Sequence, residues 1–179
     1  TVTTTSTVTF SVGLTVTSGA LSVTADSGCT ATGLLSIPDG ATVATSAGAL
    51  TLQSADISIG TTSGAVNAAG GLLTLTTCGT VDMDIGGTGT GSGEYKLIAT
   101  ELNRITGNSG LTVTGSSGRT VVVEAIAGTD TDQVTGTITL SAPGGTGTLT
   151  FSGASTWAGL TASAGQTLTV SADITTTTG

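Results

Sequence analysis

Histidine is absent from this chain, and with it go the usual neutral-pH general base and the commonest metal ligand. Cations are scarce: Lys96, Arg104 and Arg119 face 11 acidic residues, for a formal net charge of -8. Three cations do not make a phosphate-neutralising surface, so no nucleic acid is expected as partner. Aromatics are 2% of the chain (Phe10, Tyr95, Phe151 and Trp157), few for the platforms of a sugar-binding cleft. Apolar runs are short, as in Val121-Val122-Val123, whereas a membrane-spanning helix needs about 20 residues, so no membrane span is expected. No leader is visible and the chain starts at Thr1, which reads as a mature or excerpted segment. Cysteine is limited to Cys29 and Cys78. Without a Cys/His cluster, a zinc site is excluded, and no cofactor is expected.

What fills the space is threonine and glycine, 43 and 29 of the 179 residues. Charged residues make up 8%, against about 25% in an ordinary soluble domain. Uncharged hydroxyls are insensitive to pH, and β-branched threonine favours strands. This composition suits an extracellular or cell-surface location, with the charge serving solubility.

The hydropathy pattern is strand throughout. Leu21-Ser22-Val23-Thr24, Leu73-Thr74-Leu75-Thr76, Leu111-Thr112-Val113-Thr114 and Leu168-Thr169-Val170-Ser171 alternate apolar and hydroxyl residues. Residues two apart on a strand share a face, so leucine and valine point inward and threonine outward. Segments Ser18–Asp26, Gly48–Ile57 and Gly165–Ile174 resemble one another, and Leu50, Leu73 and Leu97 fall roughly 23 residues apart, within the range of one repeat of a solenoid. The predicted fold is all-β: a parallel β-helix (solenoid) with one short helical corner. The corner is placed where Ile98, Leu102 and Ile105 form a helical stripe starting near Thr100-Glu101 and ended by Gly107; an ordinary strand through Leu97 and Ala99 is the other reading. Residues 1–179 read as a single β-rich domain or a slice of a longer repetitive chain. The alternative architecture is a pilin-like β-sandwich that donates its N-terminal strand. Residues 1–12 are then a donor or edge strand, with Val2, Val8, Phe10 and Val12 as assembly contacts.

The run Tyr95-Lys96-Leu97, then Thr100-Glu101-Leu102-Asn103-Arg104-Ile105-Thr106, then Gly110-Leu111-Thr112-Val113-Thr114-Gly115, resembles a repeat of filamentous-haemagglutinin-like giant surface proteins. The resemblance is specific over residues 94–115 and compositional elsewhere. It implies a parallel β-helix in a long extracellular adhesin or fibre.

Other candidates are read from spacing. Asp82 and Asp84 share a strand face, and Asp130 and Asp132 repeat the spacing; such oxygens suit Ca²⁺, but a ligand set of 6–8 is missing. Paired carboxylates also hydrolyse glycosides, yet only in a cleft this composition does not supply, so no enzyme activity is expected. The glycine-rich stretch 86–93 reads as a flexible loop, since no Lys-Ser/Thr follows it. Trp157 reads as core or as a cap. Aligned threonines suggest an ice-binding face, although the second hydroxyl drifts among Thr17, Ser141 and Gln53. Cys29 and Cys78 could be bridged in a sandwich. In a solenoid they fall two coils apart, roughly 9–10 Å by strand spacing and beyond disulfide reach, unless a long loop intervenes. The function read from all this is a structural subunit or stalk segment of an extracellular filament or surface adhesin. Its partners are copies of itself or adjoining repeats, with a surface or glycan target. The alternatives are a donor-strand-exchange pilin and an ice-binding or calcium-binding surface module.

Overall fold

A computed structural model describes residues 1–63, 65–89 and 94–177. Among the described residues the regular elements are nearly all strands, with a single four-residue α-helix, so the fold is all-β. Its first nine strands come in threes: β1 (Val2–Thr3), β2 (Val8–Thr9) and β3 (Leu14–Val16); β4 (Leu21–Thr24), β5 (Leu34–Ile37) and β6 (Thr42–Thr45); β7 (Leu50–Gln53), β8 (Asp56–Ile59) and β9 (Ala65–Ala68). The members of each three enter three different sheets, so β1, β4 and β7 lie side by side, as do β2, β5 and β8, and β3, β6 and β9. Then follow β10 (Leu73–Thr76), β11 (Met83–Ile85), β12 (Tyr95–Leu97), α1 (Ala99–Leu102), β13 (Ile105–Gly107), β14 (Leu111–Thr114) and β15 (Thr120–Val123). The last strands are β16 (Ile138–Ala142), β17 (Thr148–Phe151), β18 (Ser155–Trp157), β19 (Leu160–Ala164), β20 (Thr167–Val170) and β21 (Ile174–Thr176).

Every ladder among the described residues is parallel. A hairpin-built sandwich would pair successive strands antiparallel; parallel pairs require crossovers, here supplied by strands of the other sheets. The largest sheet, β1-β4-β7-β10-β14-β16-β19, follows chain order. Its register stacks Leu21, Leu50, Leu73, Leu111 and Ile138 in one inward column and Val23, Leu52, Leu75, Val113 and Leu140 in the next. All ten are buried, each worth about 1.5–3 kcal/mol in apolar transfer. At one edge the backbone closes tightly: a Cβ on Gly48 would lie 2.0 Å from the Gly19 carbonyl oxygen, so only glycine fits.

The structure corrects several expectations. Leu73 stacks on Leu50, but Leu97 leaves that column and pairs with Ile85 in another sheet; the next residue over Leu73 is Leu111. The extra length is taken up by β11, β12, α1 and β13. Of the three similar segments, those containing Leu21 and Leu50 are stacked neighbours, whereas Leu168 lies over Leu149 in a different sheet. Alternation marks which face a residue takes but not which sheet it joins. The helical corner exists but is shorter than its stripe: Ile105 already begins β13, and Gly107 ends that strand. Residues 1–12 are not one strand. They divide between β1, on β4, and β2, on β5, so this alternating run already pairs within its own chain. Part of the glycine-rich stretch, residues 90–93, lies outside the described residues.

Candidate functional site

Two strands of one sheet define the first feature. β17 (TLTF) and β20 (TLTV) pair in register, Leu149 with Leu168 and Phe151 with Val170. Leu149 and Phe151 are 0% and 1% exposed; Leu168 and Val170, facing the same way, are 48% and 57% exposed. At the other end Val2 and Val12 are exposed, while Val8 and Phe10 pack part-buried against the core. Both ends therefore present apolar side chains and unpaired strand edges.

A second feature crosses the largest sheet. Ser22, Thr51, Thr74, Thr112, Thr139 and Thr161 align in one outward row, because their inward neighbours stack. Thr24, Gln53, Thr76, Thr114, Ser141 and Ser163 form the parallel row. Gln53 and Ser141 thus do occupy the second-hydroxyl position; Thr17 does not, lying beyond the end of β3 in another sheet.

The carboxylates hold backbone. β12 lies beside β8 without a ladder, and two acidic side chains supply the missing acceptors. Asp56 on β8 accepts from the Lys96 N–H at 2.9 Å, and Glu101 on α1 accepts from the Ile59 N–H at 2.9 Å and the Ile98 N–H at 3.1 Å. Burial pushes both carboxyl pKa values above the ordinary range, against the pull of these hydrogen bonds. Tyr95, wholly buried, has its hydroxyl pKa raised by that burial and by both acids. No sequence signal marked Asp56 or Glu101 as a pair; they meet only because β12 comes to rest against β8.

The four aspartates singled out by spacing do not come together as a site. Asp82 pairs with Arg119 at 3.1 Å and accepts from the Thr120 N–H at 2.9 Å. Asp84 is buried on β11. Asp130 accepts from the Ala127 N–H at 2.7 Å, closing a 3-10 turn, and Asp132 accepts from the Gln133 side chain at 3.2 Å. No group of three or more His, Cys, Asp or Glu residues is placed to hold a metal ion among the described residues. The cations are engaged too: Lys96 donates to the Gly89 carbonyl and Arg104 to those of Thr61 and Thr62. Tyr95, Phe151 and Trp157 are buried, and Phe10 is half-buried, so no aromatic ring stands out as a platform. Trp157 borders a cavity of about 380 Å³, together with Thr129, Thr131 and Asp132.

The Cys29 N–H and the Cys78 thiol donate to the same Asp26 carbonyl, at 2.9 and 3.3 Å, because the loop between β4 and β5 bends across the end of β7. The strand-spacing argument that kept the two cysteines apart fails here, since a long loop intervenes. No helix among the described residues is long and apolar enough to cross a membrane. No family model, curated protein or solved structure matches the chain.

Proposed function

We propose that this chain is a stacking module, a parallel β-helical segment of an extracellular filament or surface-adhesin stalk, whose open ends are covered by further coils of the same kind. The observation that carries the reading is the half-exposure of Leu168 and Val170, in register with buried Leu149 and Phe151. A coil laid on β20 would bury them as β20 buries the pair beneath, and would pair its free edge. The order of strands in threes across three sheets supports a solenoid. The resemblance of residues 94–115 to filamentous-haemagglutinin-like repeats points the same way. The hydroxyl-rich, cation-poor surface fits a load-bearing segment outside the cell.

The test is sedimentation of the purified chain with rising concentration, combined with hydrogen exchange at Thr167–Val170. Growth into end-to-end rods, with those amides becoming protected, is the expected result. A chain that stays monomeric to its solubility limit, with β20 still exchanging freely, would overturn the reading.

One observation favours a second reading, an ice-binding face. The outward row Ser22 to Thr161 repeats at the interstrand spacing, about 4.8 Å. Second neighbours in tetrahedral water lie about 4.5 Å apart, taking a hydrogen-bond length of about 2.75 Å. Inhibition of ice recrystallisation, lost in a Thr74→Tyr, Thr112→Tyr variant, would support it; no inhibition by the intact chain would remove it.

A further inference from the structure

Three non-glycine residues with positive φ fall within one short loop: Asp26 (61°), Cys29 (52°) and Ala31 (64°). Left-handed backbone costs such residues roughly 1–2 kcal/mol each, so three together need something that holds them. Part of the restraint is visible. The Asp26 carboxylate accepts from the Thr30 N–H and hydroxyl, at 2.8 and 2.7 Å, and from the Ala31 N–H at 2.8 Å. Burial alone would raise its pKa, but these bonds, with one from Thr32, hold it below the ordinary value.

The bent loop brings Cys29 across β7 to the segment that follows β10. The Asp26 carbonyl accepts from the Cys29 N–H at 2.9 Å and from the Cys78 thiol at 3.3 Å. Cys29 and Cys78 thus share one acceptor, and the Gln53 side chain of β7 contacts the Cys29 sulfur at 4.0 Å. Gly79 seals the contact: a Cβ there would lie 2.7 Å from the Cys29 carbonyl oxygen. Cys29 is exposed, Cys78 half-buried, and both are free thiols.

We infer that Cys29 and Cys78 form an oxidation-driven staple, a disulfide that ties the β4–β5 loop over β7 to the end of β10. The inference goes beyond the stacking reading and does not depend on it. The oxidant is a disulfide, small-molecule or protein. The accessible Cys29 sulfur, as thiolate, attacks one oxidant sulfur, releases one reduced thiol and leaves a mixed disulfide. Cys78 then loses its proton and attacks the Cys29 sulfur; the Sγ–Sγ bond forms and the second thiol departs. Two protein S–H bonds are lost, and the two electrons and two protons end on the oxidant's two thiols. Burial, then the neighbouring Cys29, pushes the Cys78 thiol pKa up to about 11, so the closing step quickens as pH rises through neutrality.

The experiment treats the whole folded chain with glutathione disulfide and cleaves it at Asp39 and Asp56, which separates the two cysteines. A linked fragment pair, released by reductant, is expected. Reduction should lower Tm by roughly 5–15 °C. Cys29→Ser and Cys78→Ser should each abolish that difference, and the double variant should be no worse than either. Two thiols that both remain open to alkylation in the oxidant-treated folded chain, bridging only between molecules, or equal Tm in oxidised and reduced forms would each overturn the inference.

Discussion

β17 and β20 carry nearly the same four residues, in the same register and facing the same way, yet one pair of apolar side chains is sealed and the other half open. Alternation therefore specifies a face, and the next strand layer supplies the burial. Truncating the ring of Phe151 should separate the two strands most. Phe151→Ala should cost about 3–5 kcal/mol by leaving a cavity between β15 and β20, while Val170→Ala should cost less than about 1 kcal/mol. Chemical denaturation of both variants checks this; equal losses would mean that β20 is covered in solution.

A smaller effect is expected where carboxylates replace a ladder. Glu101→Ala leaves the Ile59 and Ile98 N–H groups without their acceptor and should cost about 1–3 kcal/mol, with Glu101→Gln retaining part of the stability. If β8 and β12 are held by packing alone, the alanine variant will unfold with the parent chain.

The same pair predicts a pH response. Raised pKa values mean that the folded chain binds protons at Asp56 and Glu101 more readily than the unfolded chain. Their contribution is full below the ordinary carboxyl pKa and is lost as pH rises through the raised values. Asp26, lowered, works oppositely: its contribution is lost only as pH falls through its depressed value. Thermal melts should therefore show maximal stability on the acid side of neutrality, and an Asp56→Asn, Glu101→Gln chain should lose that maximum. The open face itself is tested by Leu168→Ser with Val170→Ser, which should cost no more than about 2 kcal/mol because both side chains are already half exposed. That variant should nevertheless weaken end-to-end association, because its targets lie on the open face.

Much of the fold was legible because its signals are local. Alternation in Leu73-Thr74-Leu75-Thr76 sets the inward face, and the spacing of Leu50 and Leu73 marks two stacked strands. Ile98 and Leu102 flagged the only α-helix among the described residues. What stayed hidden depends on where the chain travels between strands. Nothing in Leu97 says that it abandons the Leu50–Leu73 column, since β12 and β10 share the same alternation. The thiol contact is made by a loop whose left-handed turns fall at Asp26, Cys29 and Ala31, residues that do not advertise them. Asp82 looked like a ligand beside Asp84 because spacing along a strand is blind to Arg119, distant in sequence but adjacent in space.

The chain-order sheet also has a kinetic meaning. Each of its strands needs only a partner synthesised before it, so folding can follow emergence of the chain, with no strand waiting for a distant end. In the neighbouring sheet β11 is an exception: its ladder partners, β12 and β15, both come later in the chain. A chain that emerges end first could therefore fold largely as it arrives, with β11 held only when its later partners appear.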